Sequence, residues 1–199
     1  PMIISTGMAE AMEIQEAIDA ARSGGCRELA ILRCVSSYPA SPQDYNLLTI
    51  ADMKERFGLI TGLSDHTLDN TTAITSVALG VAIIEKHFTL NRNGGGPDDS
   101  FSLEPADLSS LCQSVRTAWE AMGKVDYGCK LSEQASVKYR RSLYFVKDLN
   151  QGDVITDDAV RSVRPGYGLA PKYMTDVIGS VANTSIHKNT PVTFQSFRK

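Results

Sequence analysis

The sequence predicts an α/β fold: four strand–helix units, half of an eight-fold (β/α)8 barrel or a stretch of open parallel sheet, followed by a small β-rich domain. Three observations point there. Near-continuous apolar runs of strand length recur at 2–4, 29–35, 59–63 and 81–88, as expected of parallel strands covered on both faces. Each is followed by a helix pattern, and the beat repeats at intervals of roughly 25 residues. After Gly123 the beat stops, and short β-like runs separated by turn signals take over.

The first strand ends in Ser5-Thr6-Gly7, where hydroxyls and amides at a helix N-terminus suit an anion or serve as a plain cap. In the helix that follows, Ile14, Ile18 and Ala21 share a face and Gly24-Gly25 supplies the stop. The second strand leads into "CVSSYPASP", which places Ser36, Ser37 and Tyr38 at its end, and 45–57 is a less regular helix. The third strand ends "LITGLSDHT"; Ala73, Val77 and Ala78 then line one helix face before Gly80. The fourth ends "IIEKHFT" and opens into a glycine loop at 94–96, with Asp98 just beyond. Pro105 suits a first helical turn, and Leu108, Leu111, Val115, Ala118, Trp119 and Met122 form an apolar stripe stopped by Gly123.

Domain limits follow: 1–123 for the strand–helix part, 124–139 as a polar linker, 140–199 for the β-rich part. Within the last, "LNQGDVIT" (149–156) aligns with "IHKNTPVT" (186–193). Gly152 and Asn189, residue types that tolerate positive φ, fall at equivalent places. The match predicts pseudo-two-fold symmetry. Four units would leave two open strand edges, and the chain begins at Pro1 and enters a strand at once, so the first half of a barrel is expected to be missing.

A composition 42% hydrophobic and 22% charged is that of an ordinary soluble domain. A net charge of -3 without a Lys/Arg cluster argues against nucleic-acid binding. No apolar stretch reaches the ~18 residues of a membrane span, and the N-terminus lacks the pattern of a signal peptide. Cys26, Cys34, Cys112 and Cys129 form no C-x-x-C pair and read as free thiols of a reducing cytoplasm.

Barrel chemistry sits where strands end. His66 and His87 lie 21 residues apart, about one strand–helix unit, and two imidazoles on adjacent strand ends can share a divalent metal. Ser64, Asp65 and Glu85 beside them are the catalytic candidates. A single such His is more often simply packed, Glu85 and Lys86 can pair at the rim, and His187 in its turn reads as solvated. Several hydroxyls converging on a metal suit a phosphorylated, polyhydroxylated substrate.

The motifs "ISTGM", "YPASP", "GLSDHT", "EKHFT", "GGPDDSFSLEP" and "RPGYGL" occur in the order seen in the sialic acid synthase family, which this sequence resembles along its whole length. The wording "GGGPDDSFSLEP", "YRRSLYFVKD" and "VRSVRPGYGLAPKY" is most similar to the pseudaminic acid synthase branch. The resemblance implies the C-terminal half of a TIM (β/α)8 barrel followed by an antifreeze-like (SAF) domain, in a domain-swapped homodimer. The implied reaction condenses phosphoenolpyruvate with an N-acylated amino sugar. In this branch the sugar is a 2,4-diacetamido-2,4,6-trideoxy hexose, and the products are pseudaminic acid and phosphate. A synthase of N-acetylneuraminic or legionaminic acid is the near alternative. A metal-dependent hydrolase using His66, His87 and Asp98 is a different class, as is a sugar-binding module on 140–199.

The resemblance further implies a divalent cofactor, Mn2+ before Mg2+ or Co2+, on His66 and His87. It implies Ser5, Ser36 and Ser64 near phosphoenolpyruvate, Tyr38 and Asp98 near the sugar, and Arg164 reaching the sugar in a partner subunit. Ser36 departs from an asparagine of sialic acid synthases. The family's early lysines and glutamate have no counterpart, so the chain is expected to be a fragment inactive by itself.

Overall fold

The four apolar runs pair into one parallel sheet: β1 (Met2–Ser5), β2 (Leu29–Cys34), β3 (Ile60–Asp65) and β4 (Ile83–Lys86), in the order β1-β2-β3-β4. A helix follows each strand: α1 (Ala11–Ser23), α2 (Thr49–Phe57), α3 (Thr71–Val77) and α4 (Pro105–Met122). An order that never reverses is that of consecutive barrel units; a doubly wound open sheet reverses at its switch point. The computed structural model describes residues 1–199, which divide into two units, 1–125 and 126–199. No helix is long and apolar enough to cross a membrane, and all four cysteines are free.

Strand pleat sorts the sheet into two faces. On one, Ile4, Leu29 and Ile31 pack with Ile14, Ile18 and Met53 of α1 and α2. Further along the same face, Leu63 and Ile84 pack with Tyr45, Ile50, Ala73, Leu103 and Leu111. The opposite, inner face carries Ser5, Leu32, Cys34, Gly62, Ser64, Ile83 and Glu85, which follow one another across the paired register. Gly62 is required there: a Cβ would stand 2.4 Å from Leu32 Cδ2 and 2.6 Å from the Ile83 carbonyl.

Three expectations need correction. Burial on both faces holds for the central β2 and for β3 after Ile60 but not for the edge strands; Ile3 of β1 and Ile60 of β3, on one inner-face row, are 56% and 58% exposed because nothing covers the start of that face. Ser5-Thr6-Gly7 does not open α1. The cap is Glu10, whose N–H donates to the Glu13 carboxylate at 2.7 Å, while the buried Thr6 donates its hydroxyl to the Leu32 carbonyl at 2.9 Å. A carboxylate at that helix start opposes the anion reading. The α4 stripe is covered only in part. Leu111 is buried and Trp119 is exposed, bordering an apolar groove of about 400 Å³ with Val77, Ile84 and Val115, because the sheet ends at β4.

The second unit, 126–199, includes a 3-10 helix at Leu131–Tyr139 in the stretch read as a linker, tied down where the Gly166 N–H donates to the Lys138 carbonyl at 2.8 Å. Two antiparallel pairs follow, β5 (Ser142–Phe145) with β6 (Val160–Val163) and β7 (Val181–Ala182) with β8 (Phe197–Arg198), with a short α5 (Met174–Val177) between the pairs. The repeat is real in three dimensions. Leu149 and Ile186 exchange both backbone hydrogen bonds at 2.9 Å. Gly152 donates to Ala182 as Asn189 donates to Phe145, and Ile155 to Ser180 as Val192 to Leu143. Gly152 and Asn189 both have positive φ, and Ile155 and Val192 are both fully buried in the unit's core.

Candidate active site

The register dictates which side chains meet. Cys34 pairs with Ser64, and Ser64 with Glu85, across β2, β3 and β4. A period of two then carries His66 and His87 onto the same inner face, one step past the last paired residues. The buried Ser64 hydroxyl donates to Glu85 Oε1 at 2.8 Å. His66 Nδ1 lies 2.8 Å from the Val35 carbonyl, which can only accept, so Nδ1 carries the proton and Nε2 keeps its lone pair. Nε2 is 3.5 Å from Ser64 Oγ, whose own proton is directed to Glu85.

His87 stands beside His66, ring centroids 5.2 Å apart, and its Nδ1 is 3.5 Å from Asp98 Oδ2. Tyr38 lies over both imidazoles at 4.3 and 5.6 Å, and Phe101 flanks His87 at 5.1 Å. The glycine loop thus returns Asp98 and Phe101 to the mouth. No three His, Cys, Asp or Glu side chains are arranged to hold one metal ion among themselves. Two imidazoles, one with its second nitrogen already engaged, fit a borderline divalent ion that completes its shell with non-protein oxygens.

Asp65 is not part of this cluster. Its side chain points to the helix face, fully buried, where Lys86 Nζ lies 2.8 Å away and also donates to the Thr67 and Asp69 carbonyls. The rim pair Glu85–Lys86 does not form, since consecutive strand residues face opposite ways and each finds its partner across β3. Ser5 lies on the inner face but two strands from Ser64. Ser36 is exposed beside Gly7, where a Cβ would come within 3.0 Å of its Oγ. Arg164 is exposed in the second unit, at a turn closed by Pro165 and Gly166, and His187 is exposed.

Two participants are not singled out by the sequence. Tyr45 is fully buried; its hydroxyl donates to the Ser64 carbonyl at 3.1 Å and accepts the His66 N–H at 2.7 Å. Burial pushes its phenol pKa far above the ordinary 10.0, against the His66 N–H that lowers it, so it stays a neutral donor. Nothing in "PQDYNLL" distinguishes it from a core aromatic. Phe101 is marked only by its place after the glycine loop.

Known proteins resemble this chain in sequence and fold. Residues 1–127 match the NeuB family model and residues 140–198 the SAF domain model. The pseudaminic acid synthase of Helicobacter pylori is 34% identical over 195 residues, covering 96% of this chain and 57% of that protein. The N,N'-diacetyllegionaminic acid synthase of Campylobacter jejuni is 36% identical over 184 residues, covering 91% of this chain and 55% of that protein. A solved spore coat polysaccharide biosynthesis protein from Bacillus subtilis superposes on the whole chain and on 61% of its own length, with a TM-score of 0.59 and 28% identity. The chain therefore spans little more than half the length of these relatives. It belongs to the NeuB family, with four consecutive units of the family's TIM barrel followed by a SAF domain.

Proposed function

We propose that this chain contributes to a synthase that condenses phosphoenolpyruvate with an N-acylated amino sugar, a 2,4-diacetamido-2,4,6-trideoxy hexose, to give pseudaminic acid and phosphate. The observation that carries the reading is the strand-end cluster of Ser64, Glu85, His66 and His87 in a chain of this family. The relatives' names do not separate the sugars, since the pseudaminic and legionaminic synthases match at 34% and 36%. The preference rests on the wording of "GGGPDDSFSLEP", "YRRSLYFVKD" and "VRSVRPGYGLAPKY".

Bond changes are simple to balance. C3 of the enolpyruvate bonds to the open-chain aldehyde carbon. The aldehyde oxygen takes up a proton, water adds at C2 and gives one up, and the C2–O bond to phosphate breaks to leave a ketone at C2. His66 and His87 would hold a divalent ion, Mn2+ by preference, which when bound polarises the aldehyde oxygen. The protein's own groups do the rest. Glu85, oriented by the Ser64 hydroxyl, is the carboxylate placed to take the proton of the added water. Ser5 and Ser36 bind phosphoenolpyruvate from β1 and β2. Tyr38, half-exposed over the two imidazoles, and Asp98 bind the sugar. In a domain-swapped homodimer Arg164 would reach the partner's sugar.

The test is to co-express the chain with the segment of the Helicobacter pylori enzyme that the match leaves uncovered. The assay follows phosphoenolpyruvate consumption with each candidate hexose. Phosphate release that tracks the 2,4-diacetamido sugar is expected. Release independent of any sugar would instead identify a hydrolase.

A further inference from the structure

We propose that the Asp65–Lys86 pair is a positioning device: a clasp on the outer face of β3 and β4 that sets the separation of His66 and His87 on the inner face. The inference deepens the metal reading of the site and rests on it for its chemical consequence. Asp65 and Lys86 are in register across the two strands. Each immediately precedes one of the two histidines. Any change in the distance between residues 65 and 86 is thereby passed to the imidazoles one residue on.

The clasp is built to be stiff. Both side chains are nearly or wholly inaccessible, at 4% and 0%, and their charged atoms are 2.8 Å apart. Lys86 Nζ has three acceptors for its three protons: Asp65 Oδ2 at 2.8 Å, the Thr67 carbonyl at 2.8 Å and the Asp69 carbonyl at 2.9 Å. The other carboxylate oxygen accepts the Thr67 N–H at 2.9 Å. The strand end and the turn leaving it, residues 65–69, are thus gathered onto one ammonium group of the neighbouring strand.

A buried pair is poor evidence of stability, because desolvation consumes most of the Coulombic gain. Its location needs another reason, and fixing the register of two strands is one for which such pairs are suited. Here the register matters because the ring centroids stand only 5.2 Å apart. Groups that orient metal ligands without touching the metal typically govern affinity by ~10–100-fold.

The experiment uses the 199-residue chain and the double variant Asp65→Asn/Lys86→Met. It removes both charges together, leaves an oxygen for the Thr67 N–H, and avoids stranding a buried ion. Circular dichroism first establishes that it folds. The metal-free readout is the nuclear Overhauser effect between the His66 and His87 ring protons, expected in the wild type and lost or strongly weakened in the variant. The metal readouts are Mn2+ affinity by calorimetry, expected to fall at least ~tenfold, and a changed visible spectrum of the Co2+ form. Ile18→Ala, which loosens the separate core cluster formed with Leu29, Ile31 and Met53, should keep the effect and the affinity despite lower stability. A folded double variant with an unchanged ring–ring effect overturns the clasp. A wild-type chain that shows the effect but binds no Mn2+ overturns the metal reading and leaves the clasp standing. Should the double variant not fold, Asp65→Asn alone is measured in the same way, and an unchanged ring–ring effect in that variant overturns the clasp.

Discussion

Replacing Tyr45 with Phe removes one oxygen and should unfasten the strand end that carries the site. The ring fills a fully buried position, so Phe keeps the packing and leaves the hydrogen bonds as the variable. Two groups lose a partner: the His66 N–H at 2.7 Å and the Ser64 carbonyl at 3.1 Å. A buried donor left unpaired costs about 1–3 kcal/mol, and the carbonyl, with a second lone pair, adds less. A loss of ~2 kcal/mol follows, seen as a drop of roughly 5–10 °C in Tm for a domain of this size. Alkaline pH gives a second, independent reading. Burial raises the folded phenol's pKa above the ordinary 10.0. Its contribution is therefore complete below that value and is lost as pH rises towards the folded pKa. Above pH 10.0 the unfolded chain releases a proton that folded Tyr45 retains, so stability falls by up to ~1.4 kcal/mol per pH unit. Tyr45→Phe lacks that slope. Urea unfolding at neutral and alkaline pH measures both; a variant within ~0.5 kcal/mol of wild type, with the alkaline slope intact, would refute the reasoning.

Gly62→Ala drives a Cβ to 2.6 Å from the Ile83 carbonyl and should destabilise the first unit by about 1–3 kcal/mol in urea titrations; a neutral outcome would mean that β3 and β4 can separate freely. In the second unit, Ile155→Ala should cost about 2–5 kcal/mol, and Val192→Ala should weaken the same transition because the two occupy equivalent core places; loss confined to one of them would break the symmetry argument. Arg164→Ala should cost about 1.5–3 kcal/mol of sugar binding. In the co-expressed enzyme, mixing an Arg164→Ala chain with a His66→Ala chain should partly restore activity, whereas verified heterodimers without recovery would defeat action across subunits.

Much of this site is legible in the sequence because strand period and strand ends are local properties. Ser64 and His66 are two residues apart, as are Glu85 and His87, so each pair has to share a face. Which face lies inward is not legible. That parity depends on the helices covering the other side, and it is what separates Asp65 from Ser64 and sends Lys86 to Asp65 instead of Glu85. The cap of α1 is hidden because Glu10 competes with earlier hydroxyls, and only the observed bond to Glu13 decides between them. The open side of the α4 stripe depends on what neighbours β4, which no periodicity within the helix encodes. The repeat in the second unit is readable at Gly152 and Asn189 because positive φ restricts residue choice, whereas its hydrogen-bond partners at 143, 145, 180 and 182 carry no such mark.

The central claim is that His66 and His87 act together on one divalent ion at the strand ends. Calorimetric titration of Mn2+ into the wild-type chain, His66→Ala and His87→Ala tests it most directly. The arrangement predicts a single site in the wild type and its loss in both variants, each of which keeps only one imidazole. Undiminished affinity in either folded variant would contradict it.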